Sequence, residues 1–140
     1  MCSSDLFAEA DALCGNSGKR LCSEEEWEAA CRGPQNLRFP YGTRFDPEAC
    51  NTTDAKDNPR QTNTSGAFSR CKSGYNVFDL SGNAAEWTTS DYDSTEVAGK
   101  AVKGGSASRP GFDDRCASRR KVAPGAHAIN VGFRCCADGM

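Results

Sequence analysis

The chain has few of the features that would suit it to a membrane or to nucleic acid. Hydrophobic residues make up 37% of its 140 positions, and no apolar run approaches the roughly 20 residues that a helix needs to cross a bilayer. Lys and Arg number 17 and Asp and Glu number 19, so the net charge is −2. These shortages argue against a membrane span and against nucleic acid as a partner.

Histidine is also scarce, which limits the metal and catalytic centres that the chain can form. His127 is the single histidine, so a centre of several histidines cannot be assembled within it. No C-x-x-C pair is present, as zinc and iron–sulfur sites usually require. A relay of Ser106, His127 and Asp113 or Asp114 lacks the nucleophile-elbow motif that would support it. The sequence therefore favours neither a transition-metal centre nor a serine hydrolase.

Cysteine, in contrast, is abundant. The chain has nine cysteines, at positions 2, 14, 22, 31, 50, 71, 116, 135 and 136. Small domains with this cysteine density are usually cross-linked by disulfides in an oxidising compartment. We therefore expect a secreted, periplasmic or extracellular protein. If Cys2 is set aside, eight cysteines remain, an even number that four bridges would consume.

The first six residues differ in character from the rest of the chain. Residues 1–6 carry neither the basic nor the apolar region of a signal peptide. We interpret them as a leader that is foreign to the domain. The chain is accordingly expected to be a fragment whose secretion signal is missing.

Two short helices are predicted near the amino terminus. Residues 7–14, FAEADALC, favour a helix, with Leu6, Ala10 and either Leu13 or Cys14 near its apolar face. Ser23 and Glu26 form a capping-box pair that begins a second helix over residues 24–32, and a Gly-Pro pair ends it. The core-facing side of this second helix is formed by Trp27, Ala30 and Cys31, while its first-turn glutamates are expected to face water.

The rest of the chain is poor in periodicity. Residues 34–76 are dense in Pro, Gly, Asn, Asp and Thr, so few strands are expected, and a loop of this length normally needs a bridge, a metal or a function. Short strands are predicted within residues 101–107 and 131–136. Because side chains alternate along a strand, the adjacent Cys135 and Cys136 should reach different partners. The basic run at 119–121 is interpreted as a solvated turn, with anion binding as the lesser alternative.

Seven segments, taken in order, resemble the formylglycine-generating enzyme family, also called the sulfatase-modifying factor domain. They are GKRLCSEEEWEAACRGP, FPYG, ACN, YNVFDLSGNAAEWT, VKGGS, RCASR and NVGFRC. The resemblance implies an α+β fold that is a variant of the C-type lectin fold, loop-rich and disulfide-linked, with two short helices and few short strands. It also implies that residues 7–140 are the C-terminal part of such a domain.

The resemblance implies two of the disulfides. These would join distant segments, as Cys14–Cys135 and Cys31–Cys116. For the remaining cysteines we hypothesise the pairs Cys50–Cys71 and Cys22–Cys136. The first of these would tie down the long loop, and the second rests on the opposite directions of the two adjacent C-terminal cysteines. The alternative is that these four are free buried thiols.

The resemblance also implies calcium. One ion would be held by the side chains of Asp79 and Glu86 and the carbonyls of Gly82 and Ala84. Such a mixed oxygen set suits Ca²⁺. The alternative is a tight turn with two solvated acids. A second ion would be held by Asn51, the Thr52 carbonyl and Asp57, with Asp54 as a competing acid.

The segment that would carry the family's oxidase chemistry departs from the family pattern. That chemistry uses two cysteines between the GGS and RCA segments to bind Cu(I) as thiolates. Here residues 107–115 read ASRPGFDDR and include no cysteine, and a tryptophan beside the family's copper is replaced by Ala85. Ser106 matches an active-site serine of the family but is interpreted as a strand residue. Copper is therefore not expected.

These observations favour a calcium-stabilised binding or scaffold module that has lost the copper oxidase, with an extended peptide or protein as its partner. The alternative is an oxidoreductase that converts a peptidyl cysteine of a sulfatase-type substrate to formylglycine, or oxidises a related side chain. A third interpretation is a truncated relic with no independent function.

Overall fold

The computed structural model describes residues 6–94, 98–111, 114–126 and 130–138. Residues 1–5 of the predicted leader, Cys2 among them, lie outside this range, whereas Leu6 immediately precedes the first helix. His127 and Asp113, two residues of the disfavoured relay, also lie outside it.

Two helices come before the main sheet in the sequence. Helix α1 spans Phe7–Asn16, two residues beyond the predicted end, and buries Ala10 and Cys14. Helix α2 spans Glu24–Arg32, the predicted bounds. Its capping box is formed, because the Ser23 hydroxyl accepts from the Glu26 amide at 3.2 Å while the Glu26 carboxylate accepts from the Ser23 amide at 2.9 Å. Within the described residues, neither helix is long and apolar enough to cross a membrane.

The described residues also form six short strands. They are β1 Arg20–Leu21, β2 Ala85–Asp91, β3 Lys100–Lys103, β4 Arg119–Val122, β5 Val131–Gly132 and β6 Cys135–Cys136. Four of them form a sheet in the order β4-β3-β2-β5, in which β2 runs parallel to β5 and antiparallel to β3. Strands β1 and β6 form a separate antiparallel pair. As expected, residues 34–76 contain no helix or named strand.

The hydrophobic core consists of two clusters of buried side chains. One lies between α1 and the main sheet and comprises Ala10, Cys14, Leu21, Ala85, Trp87, Val102 and Val131. The other surrounds α2 and comprises Cys22, Trp27, Cys31, Leu80 and Cys116. Disulfide sulfurs thus form part of both clusters, and cross-linking supplements a small core.

Four disulfides connect these elements within the described part of the chain. They are Cys14–Cys135, Cys22–Cys136, Cys31–Cys116 and Cys50–Cys71, the same pairs that the sequence analysis gives. The adjacent C-terminal cysteines reach different partners, one in α1 and the other just after β1. The fourth bridge joins two points of the long loop, whose ladder pairing is limited to isolated bridges and whose other backbone hydrogen bonds are those of turns and of contacts with neighbouring segments.

The interpretation of the basic run as a solvated turn is wrong. Residues 119–122 form β4, which pairs with β3 over its whole length, and Arg120 is half-buried. Arg119 donates two hydrogen bonds to Glu24, which was expected to face water. Two basic side chains of this strand have compensating neighbours, since Arg119 lies over the ring of Tyr92 and Lys121 pairs with Asp93.

Candidate functional site

A tight turn between the long loop and β2 positions the first set of predicted metal ligands. Asp79, Gly82 and Asn83 all have left-handed backbone angles, with φ of 60°, 75° and 63°. At Gly82 a Cβ would overlap the carbonyl oxygen of Asn51, so only glycine permits the close approach. The Asn83 amide donates to the same carbonyl at 2.7 Å. The turn therefore packs directly against residue 51, and the two predicted metal sites are neighbours.

Asp79 is a buried carboxylate with few polar partners. Its side chain accepts one hydrogen bond from the Gly66 amide, at 2.8 Å, and the residue is 5% exposed. Burial raises the pKa of Asp79, although the Gly66 amide and the charge of Arg134 partly offset that effect. A cation at this carboxylate would compensate for the lost hydration.

Glu86 is more completely buried, and it has strong partners. Its Oε2 accepts from the Trp27 indole and from Arg134 Nε, both at 2.6 Å, and its Oε1 accepts from Arg134 Nη2 at 2.7 Å. Burial alone would lower the pKa of Arg134, but the attraction of Glu86 outweighs burial, so the pKa of the guanidinium is raised. The primary role of Glu86 in this structure is thus a bidentate ion pair that joins α2, β2 and the C-terminal segment.

The donor chemistry of this turn still fits calcium. Glu86 Oε1 accepts a single hydrogen bond, and no described residue donates to the carbonyls of Gly82 or Ala84. Within the described part of the chain, no three His, Cys, Asp or Glu side chains come together, so carbonyl oxygens would have to complete any metal site. An all-oxygen set of two carboxylates and two carbonyls suits a hard cation.

The second predicted site is assembled only in part. Asn51 is buried and its amide group donates to the Gln61 carbonyl and the Asn83 side chain. The Thr52 carbonyl accepts from the Arg60 guanidinium at 3.3 Å, so a cationic side chain already lies beside one predicted ligand. Asp57 is exposed. The structure therefore places Asn51 and Thr52 together. Among the described residues, no hydrogen bond links Asp57 to either of them.

Asp54, the competing acid, has another role. Its carboxylate accepts from the amides of Lys56 and Asn58, at 2.8 and 3.0 Å, and from the Asn58 side chain at 3.1 Å. These hydrogen bonds lower the pKa of Asp54. They make the residue the centre of an Asx-type turn on the protein surface.

A cavity of about 360 Å³ lies beside Ala85 and the segments on either side of the β3–β4 connection. Ala85, at the start of β2, lines it together with Gly104 and Gly105, and Asp114 lies against Gly105 so closely that a Cβ there would overlap its carboxylate. Ser106 is buried, and its hydroxyl lies 3.2 Å from that of Ser108. The eight cysteines of the described residues are all in disulfides, so none of them presents a thiolate.

Arginine side chains dominate this cavity and an adjoining one. The first is lined by Arg109, Arg115, Arg119 and Arg120. The second, of about 610 Å³, is lined by Arg32, Arg38, Arg44 and Arg115. The two share Arg115 and Ala117. Sequence analysis missed this concentration, because the residues come from four separate segments and the overall charge is balanced. The basic run at 119–121 was the one feature of the sequence that could have indicated this concentration of arginines.

Comparison with known proteins shows what the chain resembles. A profile of the family described as "Sulfatase-modifying factor enzyme 1-like domain" matches residues 6–139. The chain is 33% identical to "Formylglycine-generating enzyme" of Bos taurus over 94% of its own length and 42% of that protein. It is 32% identical to "Inactive C-alpha-formylglycine-generating enzyme 2" of Bos taurus over 91% of its length and 46% of that protein. The chain thus spans less than half of these curated relatives.

Solved structures share its fold. PvdO from Pseudomonas aeruginosa superposes with a TM-score of 0.72 and 24% identity, over 92% of this chain and 57% of that one. Treponema denticola variable protein 1 superposes with a TM-score of 0.69 and 21% identity, over 82% of this chain and 46% of that one. These similarities establish a C-type-lectin-like α+β fold of the formylglycine-generating enzyme type.

Proposed function

Because the chain belongs to the sulfatase-modifying factor domain family, we propose that it is a member without the copper oxidase and that it serves as a calcium-stabilised peptide-binding module. The observation that carries the proposal is the use of the cysteines. Cu(I) in this family requires paired thiolates, whereas all eight cysteines between residues 14 and 136 form disulfides and residues 107–115 contain none.

Overall identity to the relatives does not indicate whether this chain retains the oxidase, so the choice rests on particular residues. A protein named as an enzyme and a protein named as inactive are nearly equally similar to this chain, at 33% and 32%. Overall similarity therefore does not separate the two functions. The replacement of the copper-side tryptophan by Ala85 and the missing cysteine pair favour the inactive alternative.

Calcium is proposed for the turn of Asp79, Gly82, Ala84 and Glu86. The support is the oxygen-only donor set and the poorly compensated carboxylate of Asp79. A bound ion would supply positive charge that fixes the turn against β2. The site formed by Asn51, Thr52 and Asp57 is proposed with less structural support, since Arg60 contacts the Thr52 carbonyl.

An oxidising compartment is proposed for the protein. Disulfides persist in secretory, periplasmic and extracellular spaces and are rare in a reducing cytosol. Four disulfides link the described residues of this 140-residue chain, and three of them join segments far apart in sequence. The fold would therefore depend on an oxidising environment.

Incubation with a cysteine-containing sulfatase-type peptide, Cu(I) and oxygen tests the loss of the oxidase. Mass spectrometry should show that the peptide cysteine is unchanged, while a formylglycine-generating enzyme run in parallel converts it. Appearance of an aldehyde product that a hydrazide reagent captures would support the alternative function, oxidation of a peptidyl cysteine. Failure of every labelled extended peptide to bind would contradict the binding role.

A further inference from the structure

Five arginines that line the two adjoining cavities form one continuous positive surface. They are Arg38, Arg44, Arg109, Arg115 and Arg120, here called the arginine tract. Arg115 contributes to both cavities, so the tract is continuous from one to the other. Its residues come from the long loop, the β3–β4 connection and β4. The fold therefore collects in one place charges that the sequence distributes widely.

The tract differs from the protein's other arginines in its lack of ion pairs. Six arginines have carboxylate partners within 4 Å, as Arg20–Glu26, Arg32–Glu28, Arg60–Glu48, Arg70–Asp46, Arg119–Glu24 and Arg134–Glu86. Among the described residues, no arginine of the tract has such a partner, and Asp114 is the one carboxylate that lines either cavity. The five positive charges of the tract thus face one negative charge among the described residues that line the cavities.

The unbalanced charge has an electrostatic cost at Arg120. Burial and the nearby charge of Arg109 lower the pKa of Arg120, and Asp114 offsets this effect only in part. An anion in the cavity would remove this unfavourable arrangement. The side chains are all arginine, with no lysine lining either cavity among the described residues, and the guanidinium fork favours planar or tetrahedral oxyanions that accept two parallel hydrogen bonds.

The neighbouring strand favours a peptide over other polyanions. Strand β4 lies at the edge of the main sheet, and among the described strands it pairs with β3 alone. An extended peptide can add to such an edge through its backbone. Arg120 belongs to this strand and also lines the first cavity, so a peptide along β4 would place its side chains beside the tract. Ala117, which is exposed and lines both cavities, would contact the aliphatic part of a glutamate side chain.

We propose that the arginine tract binds an extended acidic peptide, whose carboxylate or phosphate groups enter the two cavities beside β4. This inference rests on the proposed peptide-binding function and specifies the class of peptide. The overall charge of −2 does not argue against it, because the positive charge is concentrated where the ligand would lie.

Fluorescence anisotropy with labelled peptides of matched length tests the inference. The probes are an oligoglutamate, an oligoglutamine and a phosphoserine-containing peptide, each measured with the full chain at low and at physiological salt. The oligoglutamate should bind at least about tenfold more tightly than the oligoglutamine, and added salt should weaken its binding. The phosphoserine peptide should compete for the same surface, and its relative affinity distinguishes the phosphate from the carboxylate as the preferred group.

Variants locate the binding surface. Arg115→Ala and Arg120→Ala should each weaken oligoglutamate binding about tenfold, since each removes a charge-assisted hydrogen-bond donor. Arg115→Lys keeps the charge without the fork and should fall between Arg115→Ala and the unaltered chain. The control is Lys19→Ala, which removes one exposed charge that lines neither cavity. Circular dichroism verifies that each variant is folded.

The outcomes separate this inference from the function on which it rests. Equal binding of oligoglutamate and oligoglutamine, or acidic binding that Arg115→Ala and Arg120→Ala leave intact, would overturn the tract as the ligand site while the peptide-binding function survives. Binding of a sulfated polysaccharide without any acidic peptide would also overturn it. If no peptide of any charge binds, the proposed function fails as well.

Discussion

Two buried carboxylates, Asp79 and Glu86, lie at the two ends of the same turn in different electrostatic surroundings. Glu86 has its charge matched by the fork of Arg134 and the indole of Trp27. Asp79 has one backbone donor from Gly66, and its pKa is raised. Sequence analysis identified both acids from their motif. It could not have found the Arg134 pair, because the two partners are distant in sequence.

Asp79→Asn should abolish calcium stabilisation. The substitution keeps an acceptor for the Gly66 amide and removes the charge that a cation requires. For the unaltered chain, calcium at about 100-fold excess over its Kd should raise the free energy of unfolding by about 2.7 kcal/mol, and chelator should reverse the gain. Calorimetry of both proteins with calcium and with chelator measures the effect. Asp11→Asn, at an exposed acid of α1 that belongs to neither proposed calcium site, should retain the calcium shift, and an equal shift in Asp79→Asn would refute the assignment.

In chelator, the stability of the same variant should depend on pH in a defined direction. The folded-state pKa of Asp79 lies above its ordinary value of 3.8, so the stability due to its protonated form is full below that value and is lost as pH rises through the folded pKa. The Asp79→Asn variant has no carboxyl group to titrate at this position. Its free energy of unfolding, relative to that of the unaltered chain, should therefore increase as pH rises. Urea unfolding from acid to neutral pH measures the difference. If the stability of the variant relative to the unaltered chain does not increase between acid and neutral pH, this account is contradicted.

At the scale of elements, α2 was predicted with its correct bounds because its signals are local. The capping box at Ser23, the apolar spacing and the Gly-Pro stop all lie within or next to the helix. Strands β2 and β4 were missed, because their existence depends on pairing with β3 rather than on their own composition. The arginine tract was missed as well, because finding it required the strand pairing to be known.

Loss of the helix cap should be measurable. Ser23→Ala removes the hydroxyl that accepts from the Glu26 amide and should lower the free energy of unfolding by about 1 kcal/mol. Thermal melts followed by far-ultraviolet circular dichroism measure the change. Ser69→Ala, at an exposed serine outside the helices and strands, is the matched control. Equal stability of the two variants would show that the cap does not contribute.

At the scale of the whole molecule, cross-links rather than a large interior determine the fold. The two clusters of the core are small and both include disulfide sulfurs. The resemblance to a known family supplied two pairings, and the alternation of side chains supported a third. Charge was harder to predict at this scale, because a net charge of −2 conceals a segregated positive surface.

The four bridges should differ in their contributions. Cys31–Cys116 joins residues 85 apart, but the bridge between Cys22 and Cys136 shortens the loop that it closes to roughly 30 residues, for which the chain-entropy estimate is about 3–4 kcal/mol. Cys22–Cys136 closes a much shorter additional loop, because the neighbouring bridge from α1 already holds the C-terminal segment near β1. Replacing both cysteines of each pair by alanine, followed by urea unfolding, compares them. The loss should be larger for the first pair, and the reverse order would contradict this reasoning.

Peptide mapping without reduction, after alkylation of any free thiols, tests the central claim most directly. The account predicts linked peptides for Cys14–Cys135, Cys22–Cys136, Cys31–Cys116 and Cys50–Cys71, with no alkylation at any of these eight cysteines. Alkylation of two of them in the folded protein would leave a thiolate pair available to a redox metal and would contradict the account.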